Sequence, residues 1–141
     1  MALDIIHVVD DEPSVRTSLE RLLRLAGYDV VAHASAEELL AWGGDGGCVI
    51  LDYDLPGMNG LELHRVLATR GANWQVVFLT GSADFAVDAE ALGAGAVGFL
   101  VKPAGRTDIF AALERAVERH RRADVQRRVC EPALAALEPP A

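Results

Sequence analysis

Short apolar runs alternate five times along the chain with segments whose apolar residues recur at helical spacing. The apolar runs predict strands buried on both faces, because they lack the in–out alternation of a half-exposed strand. A regular alternation of strands and helices predicts an α/β fold in which helices cover both sides of a parallel sheet. The predicted strands are 3–9, 28–32, 48–51, 75–79 and 96–101, and the predicted helices are 12–26, a short helix after Ser35, 61–69, 83–92 and 107–122.

Capping and turn residues mark the ends of these elements. Asp11 is the predicted N-cap of the first helix, and Gly27 is its predicted C′ residue. Ser35, with Glu38 three residues later, predicts a capping box at the start of the second helix. The glycine-rich segment 43–47 is predicted to be a loop.

The composition fits one folded domain. The chain has 141 residues, 51% of them hydrophobic and 24% charged, so it can build a core and is not of the disordered class. A net charge of −8 argues against a nucleic-acid surface, which needs clustered Lys and Arg. No signal peptide or membrane-length apolar stretch is visible, so a cytoplasmic location is expected. We predict a domain over 1–122 and a C-terminal tail or linker over 123–141.

Polar residues follow four of the predicted strands at the point where each strand ends. Asp10 and Asp11 follow the first strand, and Asp52 follows the third. Thr80 follows the fourth, and Lys102 follows the fifth. Because the carboxyl ends of parallel strands share one edge of a sheet, where α/β folds bind their ligands, these side chains are expected to meet.

This set of side chains predicts phosphoryl chemistry. Three carboxylates repel one another unless a cation lies among them, and Mg²⁺ prefers such oxygen ligands. An aspartate can act as a nucleophile toward phosphorus and form an aspartyl-phosphate, which is the role expected of Asp52. Lys102 and Thr80 can bind phosphoryl oxygens, and Gly81 leaves room for the group to approach.

Taken singly, each of these residues has an ordinary structural interpretation. An Asp-Asp pair is commonly a helix cap, and Asp52 alone could be a turn residue. Thr80 alone is typical of a strand end, and Lys102 alone of a solvated surface. Their joint placement on one sheet edge favours a functional site. The four histidines share no metal-ligand spacing, and His7 is expected to be a packed or edge histidine.

Four segments of the chain each place at least one of these polar residues at the end of a predicted strand. They are VVDDE (8–12), LDYDLPGMNG (51–60), LTG (79–81) and VKP (101–103). Together they resemble the receiver domain of bacterial two-component response regulators. The resemblance covers about residues 3 to 122, and the segments at 6–12 and 25–28 are most similar to the FixJ-type branch of transcriptional regulators.

The resemblance implies a flavodoxin-like or CheY-like fold, with strand order 2-1-3-4-5 and five flanking helices. It also implies that Asp52 is phosphorylated and that Thr80 and Phe99 form a switch pair. For Phe99, core packing is an equally good interpretation. The other implied assignments are Mg²⁺ (or Mn²⁺) bound by Asp10, Asp11, Asp52 and the backbone carbonyl of Asp54, phosphate binding by Lys102 with Thr80 and Gly81, and a cis bond before Pro103.

The implied partner is a sensor histidine kinase or a phosphotransfer protein. Phosphorylation would change the face formed by the fourth predicted helix, strand five and the last helix, and a phosphorylation-dependent homodimer is possible there. The resemblance implies a signalling domain that is not a turnover enzyme. The net charge of −8 and the lack of a recognisable DNA-binding domain predict no direct DNA binding by this chain, and the lack of a membrane-length apolar stretch predicts no membrane binding. Two interpretations stay open: a truncated transcriptional regulator and a natural single-domain regulator.

Two other classes of α/β protein are alternatives to a receiver domain. A haloacid-dehalogenase-type phosphatase has an acidic pair like Asp52 and Asp54, but it needs further acidic residues downstream, and only 89 residues follow Asp52. A flavodoxin-like FMN carrier needs a phosphate-binding loop after strand one. Here Asp10, Asp11 and Glu12 occupy that loop and would repel an anionic cofactor.

Overall fold

The structure is a computed structural model that describes residues 5–44, 46–81 and 95–137, with the side chains of the last helix described as far as residue 126. Within these ranges it contains five strands and four helices. In chain order they are β1 (Ile5–Val9), α1 (Pro13–Leu25), β2 (Asp29–His33), α2 (Ala36–Trp42), β3 (Gly46–Asp52), α3 (Gly60–Thr69), β4 (Asn73–Thr80), β5 (Gly98–Val101) and α4 (Arg106–Leu137). The helix predicted at 83–92 lies outside the described residues.

The five strands form one parallel sheet in the order β2-β1-β3-β4-β5, which confirms the predicted topology. Helices α1 and α4 pack on one face of the sheet, and α2 and α3 pack on the other. The chain changes direction across the sheet between β1 and β3, because β2 lies on one side of β1 and β3 on the other. Such a switch in strand order opens a crevice at the carboxyl edge.

The central strands are buried on both faces, as their continuous apolar runs predict. In β3, Cys48 and Ile50 belong to the core under α1 and α4, while Val49 and Leu51 belong to the core under α2 and α3. This alternation follows from the two-residue period of a strand. The polar residues that end β1, β3 and β4 are therefore held by strands that cannot shift without exposing one of the two cores.

The ends of α1 differ in how well the sequence predicts them. Asp11 is not the N-cap, so that prediction is wrong: Glu12 is the N-cap residue, and its side chain makes no capping hydrogen bond. The reason is that the Asp10 carboxylate accepts from the Glu12 amide (2.9 Å), which leaves Asp11 exposed at the sheet edge. At the other end Gly27 is the C′ residue as predicted, with φ 97° and a hydrogen bond from its amide to Arg24 O (3.0 Å).

The start of α2 follows the predicted capping pattern. Ser35 Oγ accepts from the Glu38 amide (3.1 Å), which confirms Ser35 as the N-cap. The Glu38 carboxylate accepts from the Ala34 amide (2.6 Å), one residue before the cap. Both side chains thus satisfy backbone donors at the helix entrance, as in a capping box shifted by one residue.

The start of β3 and the end of α4 differ from the boundaries that the sequence pattern predicts. Gly46 and Gly47 belong to β3, where a loop was predicted, because Gly46 pairs with Asn73 so closely that a Cβ would lie 2.2 Å from Asn73 O. Helix α4 continues to Leu137, past its predicted end at residue 122. Asn73 Nδ2 donates to His120 O (2.7 Å) and to Asp124 Oδ1 (3.1 Å), so the sheet holds the helix through this region. A domain boundary at residue 122 stays a prediction.

Candidate functional site

Three carboxylates meet at the carboxyl edge of the sheet, where β1 and β3 end. Asp10 and Asp52 are buried, with 1% and 4% of their surface exposed, whereas Asp11 is exposed. Each offers an oxygen within 4.8 Å of the others. The structure therefore brings together the three acidic residues that the sequence pattern placed on this edge.

Lys102 lies between the two buried carboxylates. Its Nζ is 2.8 Å from Asp10 Oδ2 and 3.3 Å from Asp52 Oδ2. The Lys102 amide donates to Thr80 O (2.6 Å), which ties the end of β5 to the end of β4, and the Lys102–Pro103 peptide bond is cis as expected. Lys102 is the only lysine of the chain. It supplies the cationic group that the pair of buried carboxylates requires.

Thr80 and Asp54 form a second pair at the same edge. The Thr80 hydroxyl donates to Asp54 Oδ2 at 2.8 Å. Thr80 is buried at the end of β4, whereas Asp54 is exposed in the loop after β3. The Asp54 amide donates to Asp52 Oδ1 (3.0 Å), so the same loop residue contacts both the central carboxylate and the hydroxyl.

The electrostatics of the site oppose an ionised Asp52. Burial raises the pKa of Asp52, and the negative charge of Asp10 raises it further. The hydrogen bond from the Asp54 amide and the ammonium of Lys102 act in the opposite direction. Burial would lower the pKa of Lys102, but its hydrogen bonds and charge interactions with Asp10 and Asp52 outweigh burial and raise it. Lys102 thus stays charged, and an additional cation would further favour ionised carboxylates.

The donor set fits a hard divalent cation. All three clustered groups offer carboxylate oxygens, their oxygens lie within 4.8 Å of one another, and Asp11 leaves one side open to solvent. Mg²⁺ binds through few carboxylates and keeps several waters, so an acidic cluster that is open to solvent on one side suits it better than an enclosed cage would.

Gly81 and Phe99 are the other predicted site residues: Gly81 directly follows β4, and Phe99 lies on β5. Gly81 is exposed, and among the described residues no atom lies within 4 Å of the position that a Cβ would take. The Phe99 ring is partly buried, with its centroid 6.2 Å from Phe78 and 6.3 Å from Tyr53. Phe99 therefore packs against a core cluster, as one of its two interpretations expected.

Two residues support the site without having been predicted. Arg16 Nη1 donates to the backbone carbonyl of Asp10 (2.7 Å) and fixes the loop after β1. Gly60 begins α3 so close to the loop after β3 that a Cβ would lie 2.6 Å from Asp52 O. The turn-rich segment before Gly60 signals a tight loop, but nothing in the sequence pairs Arg16 with a carbonyl six residues earlier.

Residues 6–114 match the family described as the response regulator receiver domain. The chain is a response regulator receiver domain. This match covers most of the chain and includes all of the clustered carboxylates and, apart from Ile5 of β1, all five strands. It gives no support to the haloacid-dehalogenase alternative, and it confirms the fold and family expected from the four sequence segments.

Relatives of this receiver domain include two proteins named transcriptional regulatory protein FixJ. The FixJ of Azorhizobium caulinodans is 40% identical over 130 residues, which are 88% of this chain and 62% of that protein. The FixJ of Rhizobium meliloti is 42% identical over 115 residues, which are 80% of this chain and 56% of that protein. The receiver domain thus spans about three fifths of the curated relatives that it matches.

Solved structures of response regulators are also similar to this receiver domain. The crystal structure of FixJ-N superposes with a TM-score of 0.77 at 41% identity, covering 84% of this chain and 96% of that one. The response regulator StyR superposes with a TM-score of 0.84 at 32% identity, covering 97% of this chain and 72% of that one.

Within the described residues, no helix is both long enough and apolar enough to span a bilayer.

Proposed function

We propose that this receiver domain accepts a phosphoryl group on Asp52 from a sensor histidine kinase or a phosphotransfer protein. The observation that carries the proposal is the position of Asp52 at the centre of the site. Its carboxylate is buried at the end of the middle strand, lies 3.3 Å from the Lys102 ammonium, and has an oxygen within 4.8 Å of carboxylate oxygens of Asp10 and Asp11.

The transfer is a substitution at phosphorus. An oxygen of the Asp52 carboxylate forms the new bond to phosphorus, and the bond from phosphorus to the donor atom breaks, with its electron pair leaving on the donor. Lys102 lies where it can neutralise charge on the phosphoryl oxygens, since its Nζ already contacts Asp52 Oδ2. The chain thus contributes positioning and charge, which supply most of the catalysis of phosphoryl transfer.

Asp10, Asp11 and Asp52 would hold the Mg²⁺ ion, or Mn²⁺ in its place, and the backbone carbonyl of Asp54 would be a further ligand. When bound, the ion supplies positive charge that offsets the repulsion between the carboxylates and the incoming phosphoryl group. The burial of Asp10 and the exposure of Asp11 support this ligand set. Packing fixes the Asp10 carboxylate, and the Asp11 carboxylate is open to solvent.

Phosphorylation would change the conformation of the protein through Thr80 and Phe99. The Thr80 hydroxyl and the space over Gly81 suit a phosphoryl oxygen, and Phe99 follows on the neighbouring strand β5, which contacts α4. A change at β4 would therefore reach the face of β5 and α4, where an output domain, a partner or a second copy could bind.

The longer FixJ relatives are named transcriptional regulatory proteins, and they extend beyond the part that this chain matches. We infer that residues 1–122 form the phosphorylated unit and that 123–141 connect it to an output. In this proposal DNA binding belongs to an output domain and not to residues 1–122, and the protein acts in the cytoplasm. The net charge of −8 supports the first point, because a DNA-binding surface needs clustered positive charge.

The test is phosphorylation by acetyl phosphate in the presence of Mg²⁺, measured by intact-protein mass spectrometry. The wild-type protein is expected to gain one phosphoryl group, and Asp52→Asn is expected to gain none, because an amide is not a competent nucleophile. Asp29→Asn, an exposed aspartate at the start of β2, is the matched control and should be labelled like the wild type. Labelling of Asp52→Asn at the wild-type rate would contradict the proposal.

A further inference from the structure

The side chain of Asp54 has no part in the proposed phosphoryl transfer, yet it is the hydrogen-bond acceptor for Thr80. The Thr80 hydroxyl donates to Asp54 Oδ2 at 2.8 Å, an ordinary distance for an O–H···O hydrogen bond. This contact joins the loop after β3 to the end of β4, at the hydroxyl that a phosphoryl group on Asp52 would need.

A threonine hydroxyl carries a single proton, so it can donate one hydrogen bond at a time. In the structure Asp54 Oδ2 is an acceptor for that hydroxyl. A phosphoryl oxygen on Asp52 is also an anionic acceptor, and it would require the same proton. The two acceptors therefore compete for Thr80, and the hydroxyl has to leave Asp54 in order to bind the phosphoryl group.

Hydrogen bonds hold the backbone around Thr80 and Asp54 in place. The Thr80 hydroxyl therefore has to change its acceptor through movement of the side chains. Thr80 O accepts from the Lys102 amide (2.6 Å), and the Asp54 amide donates to Asp52 Oδ1 (3.0 Å). Thr80 is buried with 1% of its surface exposed, whereas Asp54 is exposed and can turn toward solvent once its partner leaves. A rotation about χ1 of Thr80 changes the direction of its hydroxyl without moving the backbone.

We propose that the Asp54 carboxylate is a positioning residue that holds the Thr80 hydroxyl in the unphosphorylated arrangement and competes with the phosphoryl group for it. This inference rests on the proposed phosphorylation of Asp52. Asp54 acts only through Thr80 and contacts no reacting atom with its carboxylate. Its consequence is a switch biased toward the resting state, in which each phosphorylation event must displace an existing charge-assisted bond.

The experiment is a titration with beryllofluoride, a phosphoryl analogue, in the presence of Mg²⁺, with binding measured by fluorine NMR. Asp54→Ala removes the competing acceptor and is expected to tighten beryllofluoride binding about fivefold beyond the effect of the lost charge, because a single hydrogen bond contributes about that much. Asp54→Asn keeps an acceptor but removes the charge, so its affinity is expected to lie between those of Asp54→Ala and the wild type.

Removing Asp54 also removes a negative charge near the phosphoryl site, and a double-mutant cycle separates the two effects. In a Thr80→Val background, which lacks the hydroxyl, Asp54→Ala retains only its charge effect. The gain in beryllofluoride affinity from Asp54→Ala should be about fivefold smaller in that background than in the wild-type background. Thr80→Ala serves the same purpose should Thr80→Val not fold, and Thr80→Ser, which keeps the hydroxyl, should preserve the full gain.

An equal gain from Asp54→Ala in the presence and absence of the Thr80 hydroxyl would overturn the inference, since Asp54 would then act by charge alone. No gain in either background would overturn it as well. Failure of the proposed function looks different. In that case the wild type would not bind beryllofluoride, or Asp52→Asn would bind it equally well, whatever residue stands at position 54.

Discussion

The imidazole of His7 is fully buried in the middle of β1, away from the site. Its Nδ1 lies 3.1 Å from His33 Nε2, and the two rings stack with centroids 5.3 Å apart. The rings of Trp42 and Trp74 lie edge-on to it at 4.5 and 5.2 Å. His7 Nε2 has no hydrogen-bond partner among the described residues, so a proton there would place an unpaired charge in the core.

This environment predicts a loss of stability in acid. Burial, with a smaller effect from His33, lowers the pKa of His7 to about 4 from an ordinary value of 6.5. Above pH 6.5 the histidine is neutral whether the protein is folded or unfolded, so it has no effect. Between pH 6.5 and about 4 only the unfolded chain takes up the proton, and the free energy of unfolding should fall by about 3 kcal/mol.

Urea denaturation at a series of pH values measures this effect. His7→Leu should show a flatter pH profile than the wild type over that window, since it has no proton to gain. The comparison isolates His7 from Asp52, whose raised pKa acts with the opposite sign. Profiles of equal slope for the two proteins would exclude His7 as the cause.

The residues of the site differ in how far the sequence could predict them. Asp10, Asp52 and Lys102 were predictable because each follows an apolar strand, and parallel strands end at a shared edge. The bond from Thr80 to Asp54 was not predictable, because it depends on the path of the loop after β3. The contact of Arg16 with the Asp10 carbonyl depends in the same way on the direction in which α1 leaves the sheet.

At the scale of a single element, α2 offers a local test of helix capping. Ser35→Ala should lower the free energy of unfolding by about 1 kcal/mol, because the Glu38 amide loses its acceptor at the helix entrance. Ser18→Ala, an exposed serine within α1, is the matched control and should leave stability unchanged or slightly raised. Chemical denaturation monitored by circular dichroism measures both changes, and equal effects would contradict the capping role.

Other elements show why boundaries are harder to predict than the elements themselves. Glycines usually interrupt strands, so the pattern gave no reason to include Gly46 in β3. It pairs with Asn73 because it has no side chain to exclude the neighbouring backbone. Asn73 in turn holds α4 through His120 and Asp124, nearly fifty residues away in sequence. Contacts between residues so far apart in sequence do not affect the local spacing of apolar residues, so the pattern cannot predict them.

At the scale of the whole molecule, the acidic site should make stability depend on divalent cations. A ligand at about 100 times its dissociation constant stabilises the native state by about 2.7 kcal/mol, which in a domain of this size raises the Tm by several degrees. Mg²⁺ should have this effect on the wild type at constant ionic strength, and calorimetry measures it. Asp11→Asn should reduce the increase, because it removes one carboxylate of the cluster while leaving the core unchanged.

Asp29→Asn is again the control, since it removes the same charge from an exposed position at the start of β2. Its Tm should rise with Mg²⁺ as much as that of the wild type. Equal increases in Asp11→Asn and the wild type would mean that Mg²⁺ acts elsewhere on a chain whose net charge is −8.

The global topology was the most predictable property. Five apolar runs alternating with helices leave few arrangements, and right-handed crossovers restrict them further. The strand order followed from the family resemblance, and the sheet confirms it. What the pattern could not provide is how the two cores are divided among the helices, which depends on the register of each strand.

The position of the single lysine has a chemical consequence for the whole protein. Enzymes or reagents that acylate lysine side chains have one target in this sequence, and it lies between Asp10 and Asp52. Acylation removes the ammonium charge and leaves two buried carboxylates facing each other without compensation. In most proteins lysine modification is spread over the surface, but here it would act at the centre of the carboxylate cluster.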